Sequence, residues 1–363
     1  MKLIKLSFEN YRNLKKDTFV ANENINVIYG DNAQGKTNLI EAIWLFTGIK
    51  SFCGVKDSQL INIDKNELFL TVDFFSQNRE QNATIKIGEK KEITLNGVKK
   101  KGAGQLAGVF TAVVFSPDHL PLVKSGPSER RKFINIAISQ IWPKYMPLLY
   151  QYKRAVVQRN AILKDAKYHN DLYDLLFSYE NEIADKGAKI IEYRKKYCAL
   201  LDKKAQKIYQ GISQDKERLN INYLTQIKNK EDFLSQLELS RKNDILSGST
   251  SIGPHRDDID ILIDNKSARI YGSQGQQRSA VLSIKLAEAE IINDILGEQP
   301  IILLDDVMSE LDEYRQDYIL NHIKDRQVFI TCCDKNIVKK LNNGSVFKMR
   351  GGEIEKRDIS SFR

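Results

Sequence analysis

Short segments with the hydrophobicity of β-strands dominate the first 123 residues of the chain. The predicted strands cover residues 3–8, 25–29 and 68–75, and residues 92–95 lead into Asn96-Gly97, a dipeptide typical of tight hairpin turns. One helix, predicted at residues 36–47, interrupts this series. The N-terminal part of the chain therefore combines several strands with a single helix.

The middle of the chain has the periodicity of long helices. Apolar residues recur at intervals of mostly three, four and seven: Leu149, Tyr152, Val156 and Leu163 in one stretch, and Leu176, Tyr179, Ile183, Ile190, Tyr197, Leu201 and Ile208 in another. We therefore predict a pair of long helices that turn near residues 167–170 and form an arm about 50 Å long.

Strands and helices alternate again after Gly248. Strands are predicted at residues 258–264, 267–271, 300–304 and 327–330, and helices at 276–296 and 313–323. The expected fold class is α/β. A head made of residues 1–127 and 247–363 is split in sequence by an inserted α-helical arm at residues 128–246.

Composition and charge narrow the choice of partners and location. The 363 residues include 56 Lys and Arg against 47 Asp and Glu, and the formal charge of +9 favours a polyanionic partner such as nucleic acid. Apolar runs stay far below the roughly 20 residues that span a bilayer, and the alternating N-terminus does not resemble a signal peptide. We expect a cytoplasmic protein without a membrane partner.

Residues 30–37, Gly-Asp-Asn-Ala-Gln-Gly-Lys-Thr, match the G-x-x-x-x-G-K-[ST] pattern of a phosphate-binding loop. They follow a predicted strand and open a predicted helix, which is the context that the pattern requires. Lys36 would reach the β and γ phosphates of ATP, and Thr37 would ligate Mg²⁺. The predicted ATP-binding residues are Gly30, Asp31, Asn32, Ala33, Gln34, Gly35, Lys36, Thr37 and Asn38.

Two acids follow the apolar residues 301–304, as expected where a buried strand delivers carboxylates to the edge of a parallel sheet. Asp305 would hold Mg²⁺ through its water shell, and Asp306 would orient and partly deprotonate the water that attacks the γ-phosphate. Asp306 and Lys36 are the predicted catalytic residues. Alone, the acids could also simply end the strand before a capped helix. The phosphate-binding loop favours the catalytic interpretation.

Residues 273–278, Ser-Gln-Gly-Gln-Gln-Arg, precede a long predicted helix. A serine hydroxyl and glycine N–H groups at a helix N-terminus can form a second anion site, although Ser-x-Gly alone is an ordinary helix cap. Beside the loop and the paired acids, the segment resembles the signature motif of ABC-type ATPases, which closes on a γ-phosphate held by a partner subunit. The resemblance implies an ATP-dependent dimer in which the residues acting in trans are Ser273, Gln274, Gly275 and Gln276.

The chain resembles, from end to end, the RecF family of bacterial recombination mediators, which are related to the SMC-type DNA-repair ATPases. The residues that carry this resemblance are 9–13 (Glu-Asn-Tyr-Arg-Asn), 30–37, 115–118 (Phe-Ser-Pro-Asp), 127–133 (Pro-Ser-Glu-Arg-Arg-Lys-Phe), 253–258 (Gly-Pro-His-Arg-Asp-Asp), 273–278 and 303–312. The resemblance implies an ABC-type P-loop ATPase head. It further implies that Arg12 helps to neutralise the phosphates, that Ser309 to Asp312 form a D-loop, and that Thr331 occupies the switch position.

The same resemblance implies a function in DNA repair and replication. The expected protein is a weak, DNA-stimulated ATPase that dimerises on ATP and binds double-stranded DNA and single-strand/double-strand junctions. With the RecO and RecR mediators, it would help to load the RecA recombinase onto gapped DNA. The alternative is an ABC-type ATPase subunit that drives a partner other than DNA.

Several residues leave their roles open. Basic clusters at residues 99–101, 130–132 and 194–207 could contact DNA phosphates or form solvated faces, and His255 and Arg256 could be structural, with Arg256 paired to Asp257 or Asp258. Residues 115–118 resemble a Q-loop region without its glutamine, so no metal ligand is assigned there. The chain departs from the usual family pattern at Cys53 (usually Arg), Asn135 (usually Asp) and Cys332-Cys333 (usually a polar pair).

Overall fold

The computed structural model describes residues 1–166, 173–333 and 344–357. The chain divides into two compact units, one made of Met1–His119 and Leu282–Arg363 and the other of Leu120–Val281. The first unit is thus assembled from both ends of the sequence. The predicted arm, residues 128–246, falls inside the second unit, which also includes residues 120–127 and 247–281.

The described residues contain strands and helices in an α/β order. The strands are β1 (Lys2–Glu9), β2 (Asp17–Val20), β3 (Ile25–Tyr29), β4 (Leu68–Ser76), β5 (Arg79–Ile87), β6 (Lys91–Leu95), β7 (Val98–Lys100), β8 (Ala112–Phe115), β9 (Leu219–Leu224), β10 (Asp258–Ile263), β11 (Lys266–Ser267), β12 (Ile301–Asp305), β13 (Val328–Cys332), β14 (Ser345–Arg350) and β15 (Glu353–Arg357). The helices are α1 (Lys36–Leu45), α2 (Pro121–Lys124), α3 (Pro127–Ile141), α4 (Tyr145–Asp165), α5 (Tyr173–Ser213), α6 (Lys230–Ser247), α7 (Ala268–Tyr271), α8 (Gln274–Leu296) and α9 (Glu313–Ile323). Within the described ranges, no helix has the length and apolar character needed to cross a membrane.

A six-stranded sheet in the first unit has the order β15-β14-β3-β13-β12-β8. All neighbouring pairs are parallel except the β14–β15 pair at one edge. Strands β8, β12 and β13 are buried along their whole length, as expected of a parallel sheet covered on both faces. Because parallel strands end at the same edge, β3, β12 and β13 direct the residues that follow them to one place.

The other sheet of the first unit is antiparallel, with the order β2-β1-β4-β5-β6-β7. Side chains of β4 and β5 alternate between buried and more exposed positions, as expected when one face covers a core. Asn96 and Gly97 have φ angles of 52° and 75° between β6 and β7, which confirms the predicted hairpin turn. The short strand β2 and the charged strand β5 were not predicted from the sequence.

The second unit contains the two long helices that the sequence predicts. Helix α4 has 21 residues and α5 has 41, so α5 alone is about 61 Å long, longer than the predicted arm. The predicted turn near residues 167–170 lies outside the described residues. Strands β11, β10 and β9 form a small antiparallel sheet in this unit, and helices α3 and α6 were not predicted.

Helices α4, α5 and α6 meet at a buried ionic network. Arg159 of α4 is completely buried and donates hydrogen bonds to Glu180 of α5 at 2.9 Å and to Asp244 of α6 at 2.7 Å. The Arg159 guanidinium also donates to Thr250 Oγ1 at 2.9 Å. A buried charge is tolerated only when it is paired and hydrogen-bonded, so these contacts fix how the three helices pack.

The strand predicted at residues 267–271 is wrong. Only Lys266 and Ser267 pair with β10, and residues Ala268–Tyr271 form the short helix α7. Gly272 permits this turn, because a Cβ there would lie 2.5 Å from the Ala268 carbonyl oxygen. The buried Gln277 side chain also donates to that oxygen at 2.9 Å, which holds the end of α7 against the start of α8.

Candidate nucleotide-binding site

The phosphate-binding loop connects β3 to α1 with the backbone geometry that its sequence demands. Gly35 has φ of 110° at the N-terminus of α1, a region that favours glycine, and Ala33 also has a positive φ of 62°. A Cβ at Gly30 would lie 2.4 Å from the Met349 carbonyl oxygen of β14. The two glycines are therefore required by a loop that passes close to the neighbouring strand and turns into the helix.

Lys36 is buried beneath the loop, with 4% of its surface exposed. Its Nζ donates to the carbonyl oxygens of Gly30 at 2.8 Å and Asp31 at 3.0 Å. The Lys36 ammonium also lies 3.2 Å from Cys333 Sγ, and this thiol in turn donates to Asn32 Oδ1 at 3.0 Å. Cys333, one of the departures from the family pattern, is therefore part of the loop's immediate surroundings.

Asp305 lies where β12 ends and joins two hydroxyl groups from different elements. Its Oδ1 accepts hydrogen bonds from Thr37 Oγ1 at 3.0 Å and from Thr331 Oγ1 at 2.7 Å. The parallel register of β12 and β13 places Asp305 opposite Thr331. Burial raises the pKa of Asp305, and the two hydroxyl groups partly oppose that shift. The structure thus brings together three residues that the sequence places at positions 37, 305 and 331.

Asp306 follows in a left-handed backbone conformation, with φ of 51°. Its backbone N–H donates to Thr331 Oγ1 at 2.9 Å. The Thr331 hydroxyl therefore forms hydrogen bonds with both Asp305 and Asp306. A non-glycine residue at positive φ is unusual and concentrates at functional sites. Asp306 is half-buried and directly follows Asp305 in the sequence.

Arg12 is paired with a buried acid that the sequence analysis did not identify. Its Nη2 donates to Glu41 Oε1 at 2.9 Å, and its Nε lies 2.7 Å from Glu41 Oε2. Glu41 lies on α1, is fully buried, and also accepts hydrogen bonds from Tyr11 Oη at 2.6 Å and from the Ser51 hydroxyl. A single acid within the apolar run Leu39 to Leu45 was the available signal, because such a residue needs a partner when buried.

Cys53, where the family usually has arginine, lies in the same neighbourhood. Although the residue is exposed, crowding of its thiol by the surrounding protein raises the pKa to about 12, and the Glu41 carboxylate adds to the shift. The thiol is therefore protonated at neutral pH. It cannot supply the positive charge of the arginine that it replaces.

The remaining loop residues contact segments distant in sequence. Asn38 Nδ2 donates to Asn13 Oδ1 at 2.7 Å. The Gln34 side chain accepts from Gly351 N–H at 2.6 Å, and its backbone carbonyl accepts from Gly352 N–H at 3.0 Å. The β14–β15 turn therefore supports the loop, a contact across more than 300 residues that no local pattern could reveal.

The predicted signature residues, which lie in the second unit, cap the first turn of helix α8. Ser273 N–H donates to Gln276 Oε1 at 2.7 Å, and Gln276 N–H donates to Ser273 Oγ at 3.2 Å, which forms a reciprocal capping box. Gln276 Nε2 also donates to Glu217 Oε1 at 2.7 Å, and Glu217 accepts from Tyr209 Oη of α5 at 2.7 Å. Ser273 and Gln274 are exposed. Glu217, which was not predicted from the sequence, links the predicted signature loop to α5.

The predicted D-loop leads from Asp306 into helix α9. Ser309 Oγ donates to the Asp306 carbonyl oxygen at 2.9 Å. Asp312 is the N-cap of α9, because its Oδ1 accepts from Arg315 N–H at 2.9 Å. Ser309 therefore does not cap the helix, and the segment between Asp306 and α9 is held by hydrogen bonds at both ends.

The Gly-Pro-His-Arg-Asp-Asp segment makes structural contacts within the second unit. Asp258 pairs with Arg130 through two hydrogen bonds of 2.7 and 2.8 Å. The predicted pairing of Arg256 with Asp257 or Asp258 is wrong, because the Arg256 guanidinium donates to the Thr250 carbonyl oxygen, at 3.2 Å from Nη2. The buried Arg130 occupies Asp258, and the Tyr223 hydroxyl donates to Asp257 Oδ2.

Two of the basic residues considered for DNA contact are buried instead. Arg130 is held by Asp258, and Arg194 is 2% exposed and donates to the Pro254 carbonyl oxygen at 2.5 Å. Asn135 Oδ1 accepts from Arg194 Nη2 at 3.0 Å and from Tyr145 Oη at 2.6 Å, so an uncharged amide suffices where the family usually has aspartate. Exposed lysines remain on the same stretch of α5: Lys195, Lys196, Lys203 and Lys207.

Known proteins resemble this chain over nearly its full length. The family model for the RecF/RecN/SMC N terminal domain matches residues 2–355. A protein of Clostridium acetobutylicum named DNA replication and repair protein RecF is 40% identical over 356 residues, which cover 96% of this chain and 97% of the relative. A second RecF, from Acetivibrio thermocellus, is 37% identical and covers 96% of this chain and 98% of its own length.

Solved structures give the same assignment. A structure described as the recombination mediator protein RecF-ATP in the RecFOR pathway matches with a TM-score of 0.91 and 37% identity, covering 98% of both chains. The Smc head domain of Pyrococcus furiosus, at 14% identity and a TM-score of 0.57, shares the fold. Together, the family model, the RecF structure and this head domain confirm the expected fold class, an ABC-type P-loop ATPase head. From its sequence relatives, its family model and its structural neighbours, the chain belongs to the RecF family.

Proposed function

We propose that this protein binds ATP with Mg²⁺ and hydrolyses it slowly to ADP and phosphate. The observation that carries the proposal is the meeting of Thr37, Asp305 and Thr331 at the sheet edge where the phosphate-binding loop begins α1. A threonine hydroxyl and a carboxylate are hard oxygen ligands of the kind that Mg²⁺ prefers. The related structure described as RecF-ATP supports the choice of nucleotide.

In this proposal each residue has a separate task. Lys36 exchanges its contacts with Gly30 and Asp31 for the β and γ phosphates, and loop N–H groups from Gly30 to Asn38 hold the phosphate oxygens. Thr37 and Asp305 position Mg²⁺, which neutralises charge that develops on the phosphates. Asp306 orients the attacking water and accepts its proton, while Thr331 holds both acids in register.

In the same proposal, Arg12 helps to neutralise the charge of the phosphates. Its guanidinium is ion-paired with Glu41 and keeps about a fifth of its side-chain surface exposed. Glu41 thereby fixes one side of the guanidinium and leaves the rest available to a phosphate oxygen. Arg12 also belongs to residues 9–13, one of the segments that carry the resemblance to the RecF family, and this supports the role.

We further propose that ATP joins two copies of the chain. The exposed Ser273 and Gln274 and the N–H groups that begin α8 form an anion site. The loop of the same copy does not need this second anion site, so the site suits a γ-phosphate bound by a partner. Ser309 and Asp312 would cross the same interface. Loss of the γ-phosphate then removes a ligand shared by the two copies and weakens their association.

We propose a biological role for this chain from the names of its relatives. The dimer binds double-stranded DNA and single-strand/double-strand junctions and, with RecO and RecR, helps to load RecA during DNA repair and replication. Support comes from relatives named DNA replication and repair protein RecF and from the RecFOR pathway named for the solved structures. The charge of +9 suits a polyanionic partner.

Sedimentation tests the proposal. The purified protein is compared with Mg²⁺ and ATP, with Mg²⁺ and ADP, and without nucleotide, each with and without a gapped duplex. We expect a dimer only with ATP, and we expect the dimer to sediment with the DNA. A monomer that ignores both nucleotide and DNA would refute the role.

Three variants separate the steps. Lys36→Ala should abolish ATP binding and dimerisation, because the ammonium is the loop's contact with the outer phosphates. Asp306→Asn should bind ATP and accumulate as a dimer that does not turn over. Ser273→Arg should bind ATP as a monomer and fail to associate. Normal turnover by Asp306→Asn, or a normal ATP-dependent dimer of Ser273→Arg, would contradict the assigned roles.

A further inference from the structure

Two large apolar side chains are exposed immediately before the signature loop. Ile270 is 71% exposed and Tyr271 is 70% exposed, and both belong to the short helix α7. The neighbouring Arg269 is exposed as well. Isolated apolar side chains on a surface are ordinary, but adjacent ones beside a functional loop indicate an interaction surface.

Helix α7, which carries these side chains, is anchored by hydrogen bonds. Two donors reach the Ala268 carbonyl oxygen: the Gly272 N–H at 3.2 Å and the buried Gln277 side chain at 2.9 Å. Gln277 belongs to the first turn of α8, the helix that the signature residues cap. These contacts anchor the backbone of α7 to the first turn of α8, and so hold the residues that carry these side chains near Ser273.

We propose that Ile270 and Tyr271, here called the α7 surface, pack against a second copy of this chain when ATP joins the two copies. This inference rests on the proposed ATP-dependent dimer and extends it to residues outside the proposed nucleotide-binding set. Tyr271 precedes Ser273 by two residues and Ile270 by three, so their Cα atoms lie within roughly 8 and 11 Å of the Ser273 Cα.

The size of a stable interface supports a second copy as the occupant. A specific interface buries about 800 Å² on each partner, which corresponds to a disc of roughly 16 Å radius. An interface of that size centred on Ser273 includes the α7 surface. In a two-fold symmetric dimer the surface occurs twice, so each substitution removes two sets of contacts.

Helix α6 offers a matched control in the same unit. Leu239 and Leu246 are 80% and 73% exposed, as much as the α7 pair, and they lie on an element that carries none of the signature residues. The test compares Ile270→Ser/Tyr271→Ser with Leu239→Ser/Leu246→Ser. All four positions are exposed, so neither double variant should disturb folding.

Sedimentation over a range of protein concentrations with Mg²⁺ and ATP measures the dimer dissociation constant of each protein. We expect it to rise at least tenfold in the α7 variant and to stay within twofold of the parent in the α6 variant. ATP binding by the monomer, measured at concentrations below the dissociation constant, should be unchanged in both. An α7 variant that dimerises as well as the α6 variant would overturn the proposal while leaving the proposed dimer intact.

Hydroxyl-radical footprinting of the unaltered protein gives a second readout that needs no variant. Mg²⁺ and ATP should protect Tyr271 and Ile270 from oxidation, and Leu239 and Leu246 should keep their rates. Protection that arises only after duplex DNA is added would assign the surface to DNA and overturn the proposal. A parent protein that stays monomeric with ATP would overturn both this inference and the proposed dimer.

Discussion

The hydroxyl of Thr331 contacts both Asp305 and Asp306. It donates to Asp305 Oδ1 at 2.7 Å and accepts from Asp306 N–H at 2.9 Å, and Thr331 is completely buried. Thr331→Val replaces this hydroxyl by a methyl group of nearly the same shape. The substitution therefore removes two hydrogen bonds while leaving the packing volume unchanged.

The expected loss of stability follows from these two contacts. A hydrogen bond to a charged group contributes about 1.5–3 kcal/mol, and a buried N–H left without an acceptor costs about 1–3 kcal/mol. Asp305 keeps its contact with Thr37 at 3.0 Å, which limits the first loss. We therefore expect Thr331→Val to destabilise the first unit by about 3 kcal/mol. Thr331→Ser keeps the hydroxyl, loses one methyl group, and should cost about 1 kcal/mol.

The two tryptophans allow the first unit to be followed alone. Trp44 lies on α1 in the first unit and Trp142 lies in the second, so Trp142→Phe leaves Trp44 as the only tryptophan. Urea unfolding monitored by Trp44 fluorescence then compares the valine and serine variants in that background. Valine and serine variants of equal stability would refute the assignment of the two hydrogen bonds to the Thr331 hydroxyl.

Three further predictions test other contacts. Burial lowers the pKa of His255, so folding favours its neutral form, and the free energy of unfolding should fall as the pH drops below about 6.5. Thermal unfolding between about pH 5 and pH 8 should show this dependence in the parent protein, and His255→Gln should remove it. Mg²⁺ and ATP should slow the alkylation of Cys333 by N-ethylmaleimide, since this exposed thiol contacts Lys36 and Asn32; equal rates with and without nucleotide would place the thiol away from the phosphates. Gly30→Ala should weaken ATP binding at least tenfold in titration calorimetry, because its Cβ would lie 2.4 Å from a carbonyl oxygen of β14; Gly104→Ala, with nothing within 4 Å, should bind as the parent does.

The parts of the site that sequence could predict are those written in a few consecutive residues. The loop at 30–37 and the acids at 305 and 306 depend on short patterns of residue type, and the strands and helices beside them lie within a few residues of the predicted bounds. Helices α4 and α5 were predictable for the same reason, since their buried positions repeat with the helical period.

The parts that sequence could not predict depend on partners far along the chain. Glu41 is an isolated acid in the sequence, and only folding brings Arg12 and Ser51 to it. In the same way, only folding brings the Gln276 side chain to Glu217, and nothing near Glu217 in the sequence indicates this contact. Helix α7 replaced a predicted strand because Gln277 and Gly272 favour a turn at Ala268, and those contacts are invisible in the alternation of residues 267–271. Local patterns therefore predicted the loop and the two acids, and they missed Glu41 and Glu217, which contact other predicted residues.

The order of strands in the parallel sheet has a consequence for how the protein is made. The phosphate-binding loop follows β3, but the sheet neighbours of β3 are β13 and β14, which lie about 300 residues later in the chain. The antiparallel sheet differs, because β1 pairs with β2 and β4 early in synthesis. At about 5–20 residues per second, a ribosome needs roughly 15–60 s to supply the missing neighbours of β3. During that interval the newly made loop has no parallel sheet to support it, so the site proposed for ATP cannot form until β13 and β14 have been synthesised.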